Sequence, residues 1–149
     1  MFKRSLIVIS ALVAIVSAGT IYGQEVPYRV SDRQVEQLMH RLKKNSDRFR
    51  KSLDSSLDRS RLDGTKREDN INAFVKDFDK ESARLYERFK DHKSVGSDVQ
   101  TVLDRAAEIE RFMHNHQFRN GRAERDWSSV RADLDELAQD YSVSWNWSR

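Results

Sequence analysis

The stretch Ala123-Glu124-Arg125-Asp126-Trp127-Ser128-Ser129-Val130-Arg131-Ala132-Asp133-Leu134-Asp135-Glu136-Leu137-Ala138-Gln139-Asp140-Tyr141 decides the fold class. Its apolar positions, Ala123, Trp127, Val130, Leu134, Leu137, Ala138 and Tyr141, recur every three or four residues with charged residues between them. A helix with one buried face has that period, whereas a half-buried strand would alternate every second residue. The Asn120-Gly121 pair before it reads as a turn and cap.

Working backwards, the same period returns three times. Val99, Val102, Leu103, Ala106, Ile109 and Met113 give a helix over about 97–116, entered through Gly96-Ser97. Ile71, Phe74, Val75, Phe78, Leu85 and Phe89, extended to His92, give one over about 66–93, with Thr65 and Glu68 as a capping box. Val35, Leu38, Met39, Leu42, Phe49, Leu53 and Leu57 give the first, with Ser46, Ser56 and Ser60 on the same face. Ser31 with Gln34 caps its start, and Asp63-Gly64 stops it near Leu62. Gly64 is expected in the left-handed conformation and Thr65 as a cap.

Four amphipathic helices at about 31–62, 66–93, 97–116 and 121–141, joined by short turns, predict an all-α, four-helix, up-down antiparallel bundle. The first helix would be about 48 Å long, against about 30 Å for the last two. It therefore either overhangs or breaks in its serine-rich part, Ser52 to Ser60, where helix propensity is weaker. Beyond the last helix, Val143, Trp145 and Trp147 change to period two. This tail (142–149) is expected to be extended, either laid over the bundle or offered as an aromatic recognition element.

At the other end, Lys3 and Arg4 precede an apolar or small run from Leu6 to Ala18. That pattern predicts a secretory signal peptide over 1–23, cleaved ahead of Gln24, with Val16 and Ala18 as a poorer cleavage context. The run is shorter than the about 20 residues a spanning helix needs, so no membrane span is expected after cleavage. Residues 24–30, with the single proline Pro27, form an extended leader into one domain over 31–149. The expected location is periplasmic or extracellular. Without cysteine the domain has no disulfide, thiol chemistry or lipid-modified N-terminal cysteine.

The formal charge of +3 shrinks to about +1 once Lys3 and Arg4 leave, so the domain does not have the net charge of a nucleic-acid binder. Charge is nonetheless uneven: Tyr28 to Arg67 holds twelve basic and six acidic residues. Arg41, Lys44, Arg48, Lys51 and Arg59 fall within an arc of about 80° on the first helix, opposite its apolar stripe. Such a stripe is ordinarily a solvated face, and otherwise a docking surface for an envelope protein or an anionic surface polymer. With Trp145 and Trp147, these five residues are the candidate interaction surface.

No catalytic, cofactor-binding or metal residue is assigned. His40 falls on a polar face and His92 ends a helix, while His114 and His116 lie two apart and so on different faces. A metal site would draw first on those last two. Covalent haem is excluded by the missing Cys-x-x-Cys-His; noncovalent haem would need Met39 or Met113, which sit on apolar stripes and read as core. Glu110 lies between Leu103 and Ala106 on the helical wheel, at the edge of the core. A lone carboxylate there is ordinarily neutralised by an arginine of a neighbouring helix.

Two stretches are more specific than their period requires. One runs from Ser52-Leu53-Asp54-Ser55-Ser56-Leu57-Asp58-Arg59-Ser60-Arg61-Leu62-Asp63-Gly64-Thr65 into Glu68-Asp69-Asn70-Ile71-Asn72-Ala73-Phe74-Val75. The other joins Ala123-Glu124-Arg125-Asp126-Trp127, Val130-Arg131-Ala132-Asp133-Leu134 and Tyr141-Ser142-Val143-Ser144-Trp145. Together they resemble an uncharacterised family of small secreted bacterial helical proteins, described only as hypothetical. The resemblance implies an exported helical domain and carries no activity or ligand. The function expected is a non-enzymatic exported binding or scaffold module. The alternatives are a periplasmic chaperone-like or stress-sensing protein and, least, a metal- or haem-binding bundle.

Overall fold

The computed structural model of the protein describes residues 29–116 and 121–147. The expected signal peptide, most of the leader, Asn120, and the last two residues lie outside them. The described chain is all-α: α1 (Asp32–Leu57), α2 (Lys66–Lys90), α3 (Gly96–His116) and α4 (Arg122–Asp140) form a four-helix bundle, with no strand among the described residues. No helix among them is long and apolar enough to cross a membrane.

The stripes meet in one core. Phe49, Phe78, Leu38, Met39, Leu42, Leu53, Leu57, Leu85, Leu103, Ile109, Leu134 and Leu137 are fully buried there, and Met113 is nearly so. α1 packs most extensively against α4, then α2; α2 packs on α3, and the α3–α4 seam is the thinnest of the four. Along α1, Arg41, Asn45 and Phe49 meet Asp133, Asp133 again and then Trp127 of α4. Lys43, Ser46, Arg50 and Asp54 meet Glu87, Ser82, Asp79 and Asn72 of α2. Residue numbers rise along α1 while they fall along both neighbours. The buried Ser46 and Ser82 hydroxyls touch at 3.3 Å, so two small residues share the α1–α2 crossing.

Helix ends follow local chemistry. Ser31 and Gln34 form the reciprocal capping box that starts α1. α1 ends at Leu57, five residues short of the expected Leu62. Ser52 and Ser56 turn their hydroxyls onto the carbonyls of Phe49 and Ser52, and Ser60 bonds the amide of Leu62. Such side-chain bonds give the backbone an alternative to the helix, and the chain passes through turns from Asp58 to Gly64. Gly64 takes φ +71° and Thr65 caps α2. Glu68 departs from a strict capping box, since its carboxylate accepts from the Gly64 amide (2.6 Å) rather than from the cap residue.

α2 stops at Lys90, not at residue 93, because His92 adopts φ +54°. The amides of His92 and Lys93 then donate to the carbonyls of Phe89 and Arg88, a Schellman turn. His92 is consequently exposed and leaves the apolar stripe assigned to it. The same device ends α4: Ser142 has φ +54°, and the amides of Ser142 and Val143 donate to Gln139 and Ala138. That turn sends the chain back along the bundle, where Val143, Trp145 and Trp147 pack on the core while Ser144 and Asn146 stay exposed.

Candidate site in the α3–α4 cleft

The returning tail ends over the thinnest seam. Trp147 is held there by three contacts: its Nε1 donates to Asp135 (2.8 Å), the Arg131 guanidinium lies 4.8 Å from its ring centroid, and its ring meets that of Trp127 edge-on at 6.0 Å. Trp145 packs on it at 5.4 Å. Asp135, Arg131 and Trp127 are spaced by four along one side of α4, so a single helix face positions all three partners.

Beneath the tail, Glu110 joins α3 to α4. Its carboxylate accepts from Trp127 Nε1 (2.6 Å) and pairs with Arg131 Nη1 (3.2 Å), and its side chain is only 18% exposed. Glu110 is thus neutralised by an arginine of the neighbouring helix, with the indole N–H as a second donor. These contacts fix the orientations of both Trp127 and Arg131.

The seam opens into two adjoining cavities. One, of about 410 Å³, is lined by Glu110, Arg111, His114, Asn115, Arg131 and Trp147. The other, of about 190 Å³, shares Glu110, His114 and Arg131 and adds Met113, Glu124, Trp127 and Ser128. Each cavity sets one tryptophan, Trp147 in the larger and Trp127 in the smaller, among mostly charged and polar side chains. Among the described residues, the side chains that converge on the cleft are Glu110, Glu124, Arg111, Arg131, His114, Asn115 and Ser128.

The sequence-selected surface residues fall elsewhere or do other work. Arg41 is bound to α4, its Nε 2.5 Å from the buried Asp133 carboxylate and its Nη2 on Glu136, and these bonds raise its pKa. Lys51 pairs with Asp47 at 2.6 Å; Lys51 and Arg50 together hold the Asp47 carboxyl below the usual range. Arg59 lies beyond the end of α1, in the turn. Lys44 and Arg48 remain on the exposed side of α1. Trp145 and Trp147 sit instead with Trp127, Arg131 and Asp135.

The histidines are not gathered. His116 stacks on Phe112 (4.1 Å) and bonds its carbonyl, His40 packs on Tyr86, and His114 lines the cleft. Among the described residues, Asp58, Asp63 and Glu68 bring carboxylate oxygens within 4.8 Å of one another at the start of α2. Two of them are exposed, and Glu68 already serves Gly64. Sequence reasoning missed Arg131, Glu124 and Ser128. The available signal was the four-residue spacing of Trp127 and Arg131 together with a carboxylate at the core edge of α3.

No protein-family model matches the chain, and neither a curated protein nor a solved structure does.

Proposed function

We propose that the protein is an exported, non-catalytic binding module whose ligand occupies the α3–α4 cleft. The observation that carries this reading is the cleft itself: the thinnest seam of the bundle is open, and the chain folds Trp147 back to wall it. A core-covering tail would serve stability with no cavity beneath it. Here two tryptophans, two arginines, two glutamates and a histidine surround about 410 Å³ and 190 Å³ of space. Export rests on Lys3, Arg4 and the apolar run from Leu6 to Ala18.

The test is affinity capture from the cell's own envelope and medium, using the wild-type domain and a Ser128→Trp variant. Ser128 is exposed, lines the smaller cavity and sits on the outer part of α4, so an indole there fills the cleft without entering the core. Capture by the wild type and not by the variant supports the reading. Equal capture by both, or by neither, contradicts it.

A second reading, a client-holding chaperone, is favoured by a groove of about 370 Å³ between α2 and α3, lined by Ile71, Phe74 and Phe112 with Arg67, Asn70 and Glu108. Its phenylalanines are partly covered, Phe74 by Arg105 and Phe112 by His116. Suppression of the aggregation of an unfolding enzyme, lost in Phe74→Ser, would place function there instead.

A further inference from the structure

We infer that the ligand of the α3–α4 cleft is an uncharged, polyhydroxylated molecule, a neutral sugar of an oligosaccharide or surface glycan; this rests on the binding reading above. Three features of the lining point to that chemistry.

The first is charge balance. The lining carries Glu110 and Glu124 against Arg111 and Arg131, and two of these charges are already spent on each other, Glu110 on Arg131. Arg111 is paired with Glu108. An anionic ligand meets carboxylates on the same walls that offer it guanidinium groups, and a cationic one meets the reverse. A neutral polar ligand meets neither conflict, because paired charges still present spare donors and acceptors to hydroxyl groups.

The second is the pair of side chains left for a ligand. His114 and Asn115 are exposed at the rim of the larger cavity and make no hydrogen bond with the described residues. An imidazole ring and a carboxamide both turn polar nitrogen or oxygen atoms toward the cavity, and a hydroxyl, itself donor and acceptor, can pair with either.

The third is the ring. Trp147 is fixed by Asp135, Arg131 and Trp127 before any ligand arrives. A sugar presents an apolar C–H surface rimmed by hydroxyls, and a preset indole beside polar groups is the complementary arrangement. Pre-ordering of the ring and of Arg131 lowers the cost of ordering side chains on binding.

The test is calorimetric and fluorescence titration of the full domain with gluco-, xylo-, manno- and N-acetylchito-hexaoses, alongside hexagalacturonate and a chitosan hexamer as acidic and basic controls. The expected result is saturable binding of at least one neutral series with a shift in tryptophan emission. Affinity should fall at least about tenfold in Ser128→Trp and several-fold in His114→Ala, with thermal melts unchanged. Lys44→Ala with Arg48→Ala should leave it unaltered. Binding confined to a charged control and lost in Ser128→Trp would overturn the assignment of a neutral ligand while keeping the cleft. Cleft-dependent capture of native material with no panel member bound would do the same. Neutral-sugar binding untouched by Ser128→Trp would overturn the site, and failure of both panel and capture would remove both proposals.

Discussion

Asp133 shows how a single side chain decides what a neighbouring charge is for. It is buried on α4 and accepts from Arg41 Nε at 2.5 Å and Asn45 Nδ2 at 2.7 Å. Removing Arg41 leaves a buried carboxylate with only the amide. Arg41→Ala should therefore cost roughly 3 kcal/mol in denaturant unfolding, whereas Arg48→Ala should change stability by less than about 0.5 kcal/mol. The two arginines look alike on a helical wheel, because a wheel shows the direction a side chain leaves its helix and not what the next helix presents. Asp140 offers the opposite case. Burial, then repulsion from Glu136, raises its pKa, and it stands at the C-terminal end of α4 where the helix dipole also disfavours an anion. With a raised folded-state pKa the folded protein holds the proton more readily than the unfolded chain. The ionised form therefore weakens the fold at neutral pH, and the penalty fades as pH falls through the folded-state pKa. Asp140→Asn should stabilise the protein at pH 7, and the gain should disappear as pH falls through the folded-state pKa, read from melts across the acid range.

At the scale of elements, the four stripes were legible because burial in a bundle is periodic, and the periodic positions from Val35 to Tyr141 form the buried core with few exceptions. The ends were less so. α1 breaks where Ser52, Ser56 and Ser60 bond backbone groups, a competition that composition signals without giving its position. The two Schellman turns were not legible, since the residue in the left-handed position is His92 in one and Ser142 in the other, where glycine is the usual mark. Those side chains are strained there, so Ser142→Gly and His92→Gly should each stabilise by about 0.5–1 kcal/mol, measured by thermal unfolding. Gly64→Ala should destabilise by about 1 kcal/mol because its φ of +71° penalises any Cβ, although no neighbour lies within 4 Å of one. The candidate site was half legible. Glu110 and the tail tryptophans stood out singly, but what joins them is the reversal at Ser142, a backbone event with no side-chain signature.

For the whole molecule, the reversal links stability to recognition. Without cysteine, the bundle depends on packing, and the tail contributes Val143, Trp145 and Trp147 to it. Deleting residues 143–149 should lower the melting temperature by uncovering the outer edge of Trp127, while far-ultraviolet circular dichroism stays helical. An unshifted melting temperature would mean that the tail adds no packing. The central claim, that ligand enters the α3–α4 cleft, is tested most directly by mapping amide and indole shifts of labelled protein against the ligand-bearing material that the wild type captures. The account predicts perturbation of the Trp127 and Trp147 indole N–H signals and of the amides of Glu110, His114 and Arg131. Perturbation confined to Lys44 and Arg48 on α1, or to Ile71, Phe74 and Phe112 in the α2–α3 groove, would contradict it.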